Sequence, residues 1–196
     1  MDIALKEWAV VCDLLLEGGQ VLLLRKGGIH EPRRGFRIEH DAFLLYPNVE
    51  HQSAAQLRPE LHPRLQTAPA APRASGEVLL PGYCRVVDVV QLKDEAQARA
   101  LQPLTCWTAS FFEQRLAYKP ERPLFAVTVR AYRLPRPAVL PYDRLYGGCR
   151  SWVPLRQAVD EATLATAVPA LPEGPFAAHR DAVRAALSST AAARQA

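Results

Sequence analysis

Proline sets the first limit on what this chain can fold into. It occupies 17 of 196 positions. Its ring fixes φ and removes the backbone N–H, which confines it to first turns, sheet edges and loops. Short elements and long connections are therefore expected. Residues 66–77, which contain the tract TAPAAPRASGE, read as a linker or an insertion. Pro135 and Pro137 are expected to end a strand, Pro169 and Pro172 to interrupt the chain, and Pro175 to open a last helix.

The stretches between the prolines carry the elements. Val21 to Gln52 is the densest, with apolar runs Val21–Arg25 and Ala42–Tyr46 reading as buried strands and Phe36–Ile38 as a short one. Before it, Leu5, Trp8, Ala9, Cys12, Leu15 and Leu16 recur at helical spacing, so Ile3–Glu17 reads as a helix capped by Asp2 and ended by Gly18–Gly19. Val10 and Leu14 fall off that stripe, so this helix is covered on more than one side. Glu7 falls at the edge of its wet face and reads as a half-exposed surface residue, with entry into a site as the alternative.

Further on, Cys84–Leu92, Leu124–Leu134 and Ser151–Val153 read as strands, with Asp88 facing solvent or marking a bulge. Glu95–Leu101 capped by Asp94, Thr108–Tyr118, Arg156–Ala167 and a segment from Pro175 to about Ser188 read as helices. Strands and long helices do not alternate. The expectation is α+β: a mixed or mainly antiparallel sheet with flanking helices, in one domain of two lobes spanning 1–196, with residues 189–196 a frayed tail.

Composition narrows the function classes. The net charge of +4 and pI near 9.0 permit an anionic partner without requiring one. Cys12, Cys84, Cys106 and Cys149 form no CxxC pair, so a zinc ribbon has no support. MDIALKEWAV lacks the pattern of a signal peptide, and no apolar run reaches the roughly 20 residues of a spanning helix. The expected setting is cytoplasmic, with reduced thiols and no membrane partner.

Three groups of residues carry candidate chemistry. Glu39–His40 and Glu50–His51 lie eleven positions apart and offer two carboxylates and two imidazoles to a divalent metal ion, with Asp88 in reserve. The spacing is not that of an HExxH helix. Basic side chains interleave with aromatics around Arg34 and Arg37, around Arg115, Lys119 and Tyr118, and from Arg130 to Arg150, a pattern that suits phosphates and stacked bases. The segment at Arg115 reads equally as packing of a helix on the sheet, with its basic groups snorkelling. Lys26 before Gly27–Gly28 offers a charge to a phosphate, although no Walker A spacing is present. Cys149 beside Arg150 raises a thiol-nucleophile question with no histidine nearby in sequence.

The segments LKEWAVVCDLLLEGGQVLLLRKGGI, FRIEHDAFLLYPNVEHQ, CWTASFFEQRLAYKPERPL and VRAYRLPRP resemble a bacterial family, the domain of unknown function 1802, from Ala4 through Leu155. The resemblance implies a bacterial, cytoplasmic protein whose lobes form one recurring unit. It implies no activity, substrate or catalytic residue. Three functions stay open: weak nucleic-acid binding through Lys26, Arg34, Arg37, Arg115, Lys119 and Arg150; a metal-dependent phosphodiester hydrolase; and a non-catalytic interaction or scaffold protein.

Overall fold

A computed structural model describes residues 1–26, 40–67, 76–148 and 150–192, with side chains through 189. The expected strand Phe36–Ile38 lies outside the described residues. Seven strands are described: β1 (Ile3–Trp8), β2 (Leu22–Lys26), β3 (Ala42–Asn48), β4 (Glu77–Gln91), β5 (Leu124–Pro141), β6 (Trp152–Pro154) and β7 (Val168–Pro169). The helices are α1 (Ala9–Glu17), α2 (Arg64–Thr67), α3 (Glu95–Leu101), α4 (Ala109–Ala117), α5 (Glu161–Ala165) and α6 (Glu173–Ala192). The sheet runs β2-β5-β4-β3-β1-β6, with β7 also on β5. It is mixed: β1 and β3 are parallel, and the other pairs are antiparallel. The class is α+β.

The start of the chain differs from its sequence reading. Ile3–Trp8 is a strand, and only Ala9–Glu17 is helical. A stripe at helical spacing ran across both because β1 lies between β3 and β6, so its residues are buried for a different reason. Asp2 is not the cap. Glu7 accepts the Trp8 N–H (2.8 Å) and Gln52 accepts the Val10 N–H (3.2 Å), which answers donors that the first turn leaves open. Gly18, at φ 78°, ends α1, and Gly19 N–H returns to Leu14 O at 2.8 Å. Ala9, Val10, Val11, Cys12, Leu14, Leu15 and Leu16 are all buried, so α1 is covered on several sides, Val10 and Leu14 included.

β3 explains the continuous apolar run FLLY. Phe43 and Leu45 enter a larger core with α1, β2, Phe111 and Phe112, and the α6 residues Phe176, Val183 and Leu187. Leu44 and Tyr46 point the other way, into a smaller cluster with Tyr83, Leu140, Tyr146 and Val153. A strand buried on both faces has no reason to alternate.

β5 outruns the limit that Pro135 and Pro137 were expected to set, and β4 begins at Glu77, ahead of its expected start at Cys84. Gly82 pairs with Arg133 and Leu80 with Ala138, so Pro81 alone faces Leu134 through Pro137. Pro135 and Pro137 sit in that irregularity, where no ladder N–H is demanded of them. A second irregularity falls between Val86 and Asp88. There Asp88 turns to Arg184 of α6, with oxygen–nitrogen distances of 2.8 and 3.0 Å. The expected helix Arg156–Ala167 is reduced to α5, capped by Asp160, while α6 continues past Ser188 to Ala192.

Candidate functional site

One set of the described basic and aromatic groups gathers at the end of α4. Phe111 and Phe112 are buried and seat this helix on the core. Its final carbonyls need donors. Lys26, the last residue of β2, supplies them: its Nζ donates to Arg115 O (2.5 Å) and Leu116 O (2.9 Å). Desolvation lowers the Lys26 pKa, with Arg115 adding to the drop and Glu121 opposing it. Beyond the helix Tyr118 is 56% exposed, and the Lys119 ammonium lies 5.1 Å from its ring centroid. Lys119 has φ 46°, and its carbonyl accepts the Arg122 N–H at 2.9 Å, so a tight turn holds Tyr118, Lys119 and Arg122 together. Arg122 stands 3.9 Å from Glu121.

Beneath this turn the charges are half-buried. The Arg115 guanidinium lies 5.2 Å from the Phe111 ring centroid; Phe111 stacks on Trp107 at 4.0 Å, and Trp107 meets Trp8 edge-on at 5.1 Å. Arg115 thus follows the packing reading, its head on an aromatic ring rather than in open solvent. Burial lowers its pKa; Glu7 opposes that shift and Arg25 adds to it. Glu7 is only 11% exposed and holds Arg25, 17% exposed, at 3.0 Å. Three strands separate β1 from β2 in the sheet order. A flat sheet would put them roughly 19 Å apart at about 4.8 Å per strand. The sheet therefore curls, and this pair bridges the gap.

The remaining candidates are dispersed. Arg150 is exposed and precedes Ser151, whose carbonyl accepts the Lys6 N–H at 2.8 Å; this places it at the end of β1 that carries Glu7. Arg130 is drawn instead to Glu173 and to the Phe176 ring, 4.9 Å away. Arg34, Arg37 and Glu39 lie outside the described residues. His40 packs edge-on against Trp152 at 5.1 Å, before β3 begins. Glu50 and His51 follow the far end of that strand. The six steps from Ala42 to Asn48 span roughly 20 Å at about 3.3 Å each, whereas metal–ligand bonds are about 2 Å. His40 and the Glu50–His51 pair thus lie beyond opposite ends of β3. Asp88, the reserve ligand, is engaged by Arg184. Among the described residues no three His, Cys, Asp or Glu side chains gather as a metal ion would need.

Nucleophilic thiol chemistry finds no support at the described cysteines. Cys12, Cys84 and Cys106 are buried and free, and burial pushes each thiol well up, with Glu7 adding to the shift of Cys12 and Cys106. A protonated, enclosed thiol is inert. Cys149 lies outside the described residues. Among the described residues no helix is long and apolar enough to cross a membrane.

The family model for the domain of unknown function DUF1802 matches residues 4–182. The chain belongs to the DUF1802 family. The DUF1802 match extends past Leu155, where the sequence resemblance stopped, and takes in α5 and part of α6. It therefore includes the α4 turn, the Glu7–Arg25 pair and all of the larger core cluster except Val183 and Leu187. No curated protein and no solved structure matches the chain.

Arg25 was missed as a site residue, and Glu7 was read as a half-exposed surface group. The one available signal was Arg25–Lys26 closing an otherwise apolar strand. Nothing in local spacing tells that the carboxylate partner comes from β1.

Proposed function

We propose that this DUF1802 protein binds single-stranded nucleic acid weakly, through phosphate charge and one stacked base. The observation that carries this reading is Tyr118, an exposed ring at the end of α4 with the Lys119 ammonium over it and Arg122 in the same turn. An exposed aromatic flanked by cations offers a base a stacking face and its phosphate a counter-charge. Lys26, anchored to the same helix end, leads in sequence directly into the segment that contains Arg34 and Arg37. Glu113 and Glu121 dilute the local charge, which favours low affinity and backbone contact over base-specific readout.

The test is a fluorescence titration of labelled single-stranded RNA and DNA at two salt concentrations. The double variant Tyr118→Ala with Lys119→Asn removes the ring and the charge, and asparagine tolerates the positive φ at 119. Binding is expected to weaken at least fivefold, since a stacked base is worth about 1–3 kcal/mol, and the slope of affinity against salt to become shallower. No binding at low salt, or equal binding by the variant, removes the reading.

A further inference from the structure

A second site lies away from the α4 turn. A cavity of about 330 Å³ opens between the end of α1, the segment around Arg58, the residues before α4 and one face of α6. This is the small end of the range for ligand pockets, about 300–1,000 Å³. Its body is apolar, with Leu14, Val21, Leu104 and Val183 among its walls. Most polar groups around it already have partners. Gln20 donates to Leu22 O at 2.9 Å and accepts the Cys106 N–H at 3.0 Å; the Thr105 hydroxyl donates to Gln102 O at 3.1 Å. The Cys106 thiol is buried and held protonated.

Arg58 is the exception. Its Nε is buried and makes no hydrogen bond, for Glu60 Oε1 stands 3.2 Å away but out of line. Glu60 is 62% exposed, and such a pair contributes little. The Arg58 side chain as a whole is 40% exposed, but this one buried N–H has no aligned acceptor, and a ligand carboxylate is the group whose two oxygens match the guanidinium fork. His179, exposed on α6, lines the same cavity and offers a second N–H.

We propose that this cavity binds a small organic acid, an apolar chain or ring bearing one carboxylate, with the carboxylate on Arg58 and the apolar body between α1 and α6. The site is independent of the nucleic-acid reading and stands or falls separately from it.

Calorimetric titration of the full chain with octanoate, and with 1-octanol as the neutral counterpart, tests the assignment. Octanoate is expected to bind the unmodified protein, below its micellar range, at least tenfold more tightly than octanol. Arg58→Gln should remove that preference, and Arg58→Lys should restore part of it. Ala182→Phe, from an exposed position on α6 that lines the cavity, should block both ligands without disturbing the core. Thermal unfolding of each variant establishes that it is folded. Failure of octanoate to bind, an unchanged preference in Arg58→Gln, or full binding by Ala182→Phe overturns the assignment.

Discussion

At the residue scale, Glu7 is the side chain on which most depends. It accepts the Trp8 N–H at the start of α1, pairs with Arg25 and opposes the burial-driven shift of Arg115. Breaking a buried pair from one side leaves an uncompensated charge, which costs about 3–5 kcal/mol. Glu7→Ala is therefore expected to lower stability by about 3 kcal/mol in urea denaturation. Replacing both partners, Glu7→Leu with Arg25→Leu, should cost less than the two single changes added together. A loss under about 1 kcal/mol for Glu7→Ala would mean that the pair is screened by solvent. Several residues were legible beforehand: Asp94, whose carboxylate accepts the Gln97 N–H at 2.8 Å, Gly18 at the end of α1, and the packing of Phe111 and Phe112. Each acts over a few positions of sequence. Glu7 and Arg25 act across the curl of the sheet, which no local pattern encodes.

At the scale of elements, the β4–β5 pair shows where a sequence rule met its limit. Prolines were expected to stop β5 at Leu134, yet it runs to Pro141 because the irregularity opposite Pro81 absorbs them. Proline takes one N–H donor from the ladder without ending the strand, and Pro141 itself pairs with Glu77. Gly82 makes this possible: a Cβ there would lie 2.2 Å from Tyr132 O and 2.6 Å from Leu16 Cδ2. The first of these is backbone and cannot turn aside. Gly82→Ala is expected to cost more than about 3 kcal/mol, beyond the usual range of overpacking, or to prevent folding. Gly174→Ala meets nothing within 4 Å and should stay within about 0.5 kcal/mol of the parent protein. Urea midpoints for the two variants decide it. Equal midpoints would show that β4 and β5 can separate at that point. The misread helix at Ile3–Trp8 has a related cause. Its apolar residues fit two periods, and only its neighbours in the sheet choose between them.

At the scale of the molecule, the Ala/Pro tract falls between parts of one sheet. β1, β2 and β3 precede it, while the strands that pair with β2 and flank β3 and β1 follow it. The α+β class was legible because strands and helices fail to alternate. The strand order was not, since β2 pairs with β5 and β1 with β6 over long separations. Expressed alone, residues 1–67 would leave β2 with no partner, β3 without β4, and α1 without the β5 and α6 residues of its core. We predict that this fragment is unfolded, with a narrow amide dispersion in its NMR spectrum. A well-dispersed spectrum would mean that the first lobe is self-sufficient.

The place of β1 between β3 and β6 bears on how the chain is made. Its neighbour on one side is synthesised early, but its neighbour on the other arrives only with Trp152–Pro154, and Lys6 and Tyr146, which it hydrogen-bonds, are 140 residues apart. At roughly 5–20 residues per second on a ribosome, β1 waits about 7–30 s for that partner to be synthesised. During that wait Leu5 and the apolar α1 behind it lack their final cover. A topology so rich in distant pairings also closes slowly once complete. The edge of β1 that will receive β6 therefore stays unpaired until about three quarters of the chain has been made.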